Sequence, residues 1–199
     1  MKMGKPVLII VNGLPGTGKT ALAKRLAADT ALPLFSRDSL YETLYDALNC
    51  HSNGLPPLLG AAAFTLFYSV TGSVVAAGQS VMIEQFFGRP ELRAAELLNL
   101  QQKHAFEPFQ ILCRADGNVL LERFLARAMA EERHVSHQYL EWLEHHKEQL
   151  LHGDLAPLPV GGRLVEIDTT TPDSFDYTDL LRQVRAALSN ALTRGGKNW

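Results

Sequence analysis

The chain has 199 residues, 46% of them apolar and 20% charged, with a formal net charge of −2. A chain of this length buries roughly 70% of the surface its unfolded form exposes, so it needs no disulfide or structural metal, and the composition excludes a disordered, collagen-like or low-complexity protein. The slightly acidic balance leaves no broad basic field for nucleic acid or an anionic membrane, and two cysteines, Cys50 and Cys113, cannot build a secreted disulfide framework.

Lys2 and Lys5 precede a short apolar run, Val7 to Val11, which is too short for the core of a secretion signal and predicts a cytoplasmic protein. The same run is β-branched and suits a strand covered on both faces. A glycine-rich turn leads into a helix over 20–28, with Leu22 and Leu26 one turn apart. Leu34-Phe35 reads as a second strand, and 38–48 as a helix carrying Leu40, Leu44 and Leu48. No Asp, Glu, Lys or Arg occurs from Ala47 to Ile83, which raises a membrane span. Pro56, Pro57, Gly60, Gly72 and Gly78 and several hydroxyl side chains argue instead for a mostly buried helix over 58–77.

Ser80 to Ile83 is a third strand ending at Glu84. Pro90 suits the first position of a helix with Leu92, Ala95 and Leu98 on one face. Phe109 to Cys113 is a fourth strand, and Asp116 is placed to cap a helix over 119–130 whose core face is Leu121, Phe124, Leu125 and Ala128. A helix over 136–151, a fifth strand over 164–167 and a final helix holding Leu180, Val184, Ala187, Leu188 and Ala191 complete the chain. Strands alternate with helices and no linker interrupts them. The expectation is a single α/β domain over 1–199, three layers deep, with a parallel sheet.

Gly13-Leu14-Pro15-Gly16-Thr17-Gly18-Lys19-Thr20 matches G-x-x-x-x-G-K-[ST] directly after a strand and before a helix. Glycines let backbone N–H groups approach phosphate oxygens, and the helix that starts here points its positive end at them. Lys19 supplies a charge for the β- and γ-phosphates, and the Thr20 hydroxyl a ligand for Mg²⁺. A dinucleotide-binding reading, with Asp38 as the ribose-binding acid, lacks the third glycine and leaves Lys19 without a role.

Asp38 follows the second strand, where an ionised carboxylate can take a proton from an attacking hydroxyl; its other reading is a helix N-cap. Glu84 stands where a phosphate-loop protein carries an acid near Mg²⁺, against the alternative of a solvated strand end. Arg123, Arg127 and Arg133 fall in one segment and can close over a transferred phosphate, or form a solvated face with neighbouring glutamates. Five of the seven histidines, His134, His137, His145, His146 and His152, lie close by without the spacing of a zinc site.

With these residues together, the chain resembles a small P-loop kinase. It is similar to the kinase group, often described as AAA-type ATP-binding proteins, that includes chloramphenicol phosphotransferase, zeta toxins and the kinase domain of polynucleotide kinases. Gluconate and shikimate kinases are more distant relatives. The resemblance runs from Val7 to about Leu192 and is sharpest at Gly13–Thr20, at Arg37-Asp38, over 120–127 and over 131–137. It implies a five-stranded parallel sheet with a helical lid at about 127–152. It also implies Asp38 as the group that activates the acceptor, and Arg123, Arg127 and Arg133 as lid arginines. The group usually has Asp where this chain has Glu84, so the magnesium shell departs from its pattern.

The expected activity is transfer of the γ-phosphate of ATP, with Mg²⁺, to a hydroxyl of a small molecule, by a monomer or homodimer. A P-loop ATPase or switch acting on a protein, and a polynucleotide 5′-hydroxyl kinase, are the alternatives. Tyr41, Phe64, Phe67, Phe86 and Phe87 are expected to wall the acceptor side, with Arg37 and Arg89 as its few cations, which suits a partly apolar small molecule.

Overall fold

The computed structural model describes residues 5–88, 90–129, 134–136 and 139–193. Its elements are β1 (Val7–Gly13), α1 (Lys19–Thr30), β2 (Leu34–Ser36), α2 (Arg37–Ala47), α3 (Cys50–Asn53), α4 (Leu59–Ala76), β3 (Val81–Gln85), α5 (Pro90–Lys103), β4 (Glu107–Arg114), α6 (Gly117–Ala128), α7 (Tyr139–His152), β5 (Arg163–Asp168) and α8 (Tyr177–Thr193). The strands form one parallel sheet in the order β2-β3-β1-β4-β5, with helices on both faces. The α/β fold and its five strands are as the sequence predicts.

Central β1 is buried at every position, and its side chains alternate between two cores. Val7, Ile9 and Val11 meet Leu22 and Leu26 of α1 and Leu180 and Val184 of α8. Leu8 and Ile10 meet Phe67 and Val75 of α4 and Ala94, Leu97 and Leu100 of α5. A third cluster, Leu14, Leu112, Leu120, Phe124, Leu150 and Leu155, packs α6 and α7 beneath the phosphate loop. Truncating the fully buried Phe67 to Ala would cost about 3–5 kcal/mol through lost contacts and the cavity left behind.

Three helix faces differ from expectation. Only a third of α4 is buried: Ala63, Phe67, Thr71 and Val75 face the sheet, while its opposite face lies in solvent although it has no charge. It is the one described helix long and apolar enough, by length and composition, to cross a membrane. In α5 the core takes Ala94, Leu97 and Leu100 and leaves Ala95 and Leu98 exposed, because either apolar row fits helical spacing and the sheet selects one. In α6 Leu120 rather than Leu125 joins Phe124 in the core. Helix α3 has no counterpart in the sequence reading, and Ser136 lies in a turn outside α7.

Candidate active site

Parallel strands bring their carboxyl ends to one edge, where α/β sheets place ligands. The register sets Val11 and Ser36 on either side of Glu84, and Gly13 beside Cys113. Sequence-distant residues therefore converge at the turn between β1 and α1.

That turn needs glycine at two points. Gly16 has φ +95°, and a Cβ there would also lie 3.0 Å from the carbonyl oxygen of Leu120. Gly18, φ 75°, occupies the N-cap position of α1, which has no side-chain cap, so the first N–H groups of the helix remain available to an anion. Thr17 donates from its hydroxyl to the carbonyl of Leu14 at 2.8 Å and closes the turn. Asn12 accepts from the N–H groups of Gly13 and Phe87 at 2.8 and 3.1 Å, tying the loop to the end of β3.

Glu84 is not a solvated strand end. It lies inside β3, 3% exposed, and accepts from the Thr20 hydroxyl at 3.1 Å and the Ser36 hydroxyl at 2.8 Å. Lys19 Nζ is 3.7 Å from the same carboxylate. Ser36 is at the N-cap position of α2 but spends its hydroxyl on Glu84, and Asp38 sits within the first turn rather than at the cap. The Asp38 side chain is about half exposed and pairs with Arg37 at 3.3 Å.

A cavity of about 520 Å³ joins these groups: Lys19, Thr20, Arg37, Asp38, Tyr41, Gly60, Gln85, Phe86, Arg127, Trp142 and His145 line it. Phe86 meets Trp142 edge-on at 5.8 Å, Phe124 lies 5.1 Å from Trp142, and His146 stacks on Trp142 at 4.4 Å. Phe67 and Phe87, expected on the acceptor wall, are fully buried core residues, and Phe64 instead lies against Arg37 and Arg93.

A second hollow, about 410 Å³, lies on the other side of the loop, bounded by Gly16, Gly18, Arg25, Arg123, Arg127, Thr171, Phe175 and Tyr177. Arg127 borders both cavities. Arg123 does not join the acceptor-side cavity. It donates to the carbonyls of Thr169 and Thr170 at 2.9 Å each, and to that of Gly16 at 3.4 Å, pinning the loop after β5 against the phosphate loop. Arg25 lies over the Tyr177 ring at 3.4 Å. The sequence reading missed this second wall, because only the strand order places the β5–α8 segment beside residues 16–18.

Arg133, His137 and Arg89 lie outside the described residues. His134 meets Asp46 of α2 at 3.0 Å through Nε2 and Ser136 through Nδ1. Among the described residues no three His, Cys, Asp or Glu side chains converge as a metal site. Burial pushes the Cys113 thiol, behind the loop, up to about 12.

The fold and the phosphate loop define a P-loop protein of kinase type. Residues 8–149 match the AAA_33 family, described as an AAA domain, and the chain belongs to that family. It is similar over 95% of its length to a crystal structure described as a "putative kinase" from Chloroflexus aurantiacus J-10-fl (35% identity, TM-score 0.80, 99% of that chain). A gluconokinase from Sinorhizobium meliloti 1021 shares the fold at 15% identity (TM-score 0.55, 96% of each chain). So does a shikimate kinase from Bacteroides thetaiotaomicron at 13% identity (TM-score 0.54, 92% of this chain and 98% of that one). No curated protein matches significantly in sequence.

Proposed function

We propose that the protein transfers the γ-phosphate of ATP, with Mg²⁺, to a hydroxyl of a small molecule. The observation that carries this reading is that Lys19 and Thr20 of the phosphate loop and Asp38 after β2 line one cavity. A group on the phosphate and a group on the acceptor therefore share one cavity. The kinases similar in fold, among them a gluconokinase and a shikimate kinase, support a small acceptor.

Each residue then has a task. The free N–H groups at the start of α1 and the Lys19 charge hold the phosphates. The Thr20 hydroxyl donates a hydrogen bond to Glu84, leaving oxygen lone pairs for a cation; Thr20 directly, and Glu84 from behind it, fit Mg²⁺, which takes few protein oxygens and keeps its waters. Bound there, the ion would neutralise charge on the phosphate oxygens. Asp38 takes the acceptor's hydroxyl proton as that oxygen bonds to the γ-phosphorus, and the bond from phosphorus to the bridging oxygen of ADP breaks. Arg127, at the border of the two cavities, can follow the charge on the phosphoryl group during transfer. Arg123 serves the nucleoside side, by fixing the wall of the second hollow. The test is a screen of hydroxyl compounds for acceptor-dependent ADP release, repeated with Asp38→Asn. Release that no compound stimulates, or that the variant leaves unchanged, overturns the reading.

A further inference from the structure

Arg37 is the first residue of α2, and its side chain is 17% exposed. Its guanidinium lies 4.8 Å from the centre of the Tyr41 ring and 4.7 Å from that of Phe64. Gly60, at the start of α4, lines the same cavity, and a Cβ there would touch one of its terminal nitrogens at 3.5 Å. Its Nε–H is buried and has no hydrogen-bond partner among the described residues. Among the described residues its one ion pair is with Asp38, whose side chain is about half exposed.

That pairing cannot persist through the reaction proposed above. Once Asp38 takes the acceptor's proton it is neutral, whereas a guanidinium stays charged. A largely buried cation without a counter-charge is costly, so Arg37 is then open to a second anion beside it in the cavity, whose wall carries one other carboxylate, Glu141 of α7. Lys19 and Arg127 reach the cavity from the phosphate loop and α6, while the partners of Arg37 come from α2 and α4, on the acceptor side. A single guanidinium matches the single charge and planar fork of a carboxylate.

We infer that the acceptor is a hydroxy acid, whose carboxylate is held by Arg37 while its hydroxyl faces Asp38. The inference rests on the kinase reading for the hydroxyl, and on Arg37 alone for the acid. It makes Arg37 a specificity-determining residue.

The test has a binding arm and a turnover arm. In the first, the Arg37 Nε–H resonance, assigned by its loss in Arg37→Lys, is followed as glycerate, 3-hydroxybutyrate or gluconate is added, and then glycerol, 1,3-butanediol or sorbitol. A saturable shift with an acid and none with its neutral counterpart is expected. In the second, kcat/KM for an acid should exceed that for its neutral counterpart by about tenfold to a hundredfold, the range of a charge-assisted hydrogen bond. Arg37→Met should erase that ratio and Arg37→Lys keep part of it. A resonance unmoved by every acid overturns the inference, whatever the turnover. Equal kcat/KM within each pair overturns it too, as does an Arg37→Met variant that keeps the ratio and raises KM for ATP alone, which would place Arg37 on the nucleotide. If the acids bind at Arg37 and no compound is phosphorylated, the acid site stands and the kinase reading falls.

Discussion

Lys19 Nζ lies 3.7 Å from Glu84 Oε1, and both side chains are more than nine-tenths buried. A cation and an anion buried together depend on each other, because removing one leaves the other charged in a poorly solvated site, at about 3–5 kcal/mol. Lys19→Ala is therefore expected to lose most transfer activity and nucleotide affinity, and also to lower stability. Calorimetry with an ATP analogue and urea unfolding measure the two effects separately. Unchanged binding and turnover would move the phosphate site elsewhere.

Glu84→Gln keeps the shape of the side chain and one acceptor oxygen for Thr20 or Ser36, but loses the charge. If Glu84 orients the metal-binding hydroxyl, the Mg²⁺ needed for half-maximal ADP release should rise about tenfold, as outer-shell changes do. An unchanged Mg²⁺ titration with lowered stability would leave Glu84 a purely structural partner of Lys19.

Asp38→Asn should leave ATP affinity nearly intact and lower single-turnover transfer by about a hundredfold or more, the contribution of a positioned general base. The N-cap position belongs to Ser36, so no cap is lost, and a fall in stability should come only from the counter-charge removed beside Arg37. A variant that loses stability and keeps its transfer rate would make the carboxylate structural.

The segment from about 127 to 152 is expected to order over the nucleotide, and the structure divides it. Leu150 of α7 is fully buried in the cluster beneath the phosphate loop, whereas His134 reaches across to Asp46 of α2. Hydrogen exchange should therefore be slow around Leu150 at all times, and should slow over residues 134–145 when an ATP analogue binds. Exchange over 134–145 that is identical with and without the analogue would mark a fixed helical region instead of a lid.

A 5′-hydroxyl oligonucleotide should not be phosphorylated at about 0.15 M salt, where surface charges are screened beyond about 8 Å. A run of lysines or arginines on the acceptor side would be needed to hold its backbone; Arg37 is the one cation that α2 brings to the cavity, and the stretch from 47 to 83, which borders it at Gly60, has none. Efficient labelling that falls steeply as salt rises would make the acceptor a polynucleotide.

The phosphate site was legible in the sequence because its parts are contiguous. Gly13 to Thr20 carry their spacing in eight residues, and the apolar run before them reports the strand that delivers the loop. The strand–helix alternation likewise stated the parallel sheet, since each crossover helix must cover one face of it. What remained undecided is what depends on residues far apart in the chain. Either apolar row of α5 has helical spacing, and only contact with the sheet chose Ala94 and Leu97 over Ala95 and Leu98. Glu84 could be read as solvated until the register of β2 and β3 placed Ser36 beside it. Arg123 could be read as a lid group until the order of the strands brought Thr169 and Thr170 within reach of its guanidinium. Local spacing records which backbone shape a segment favours, whereas the partner of a charge is set by packing between segments, and that exists only once the sheet has formed.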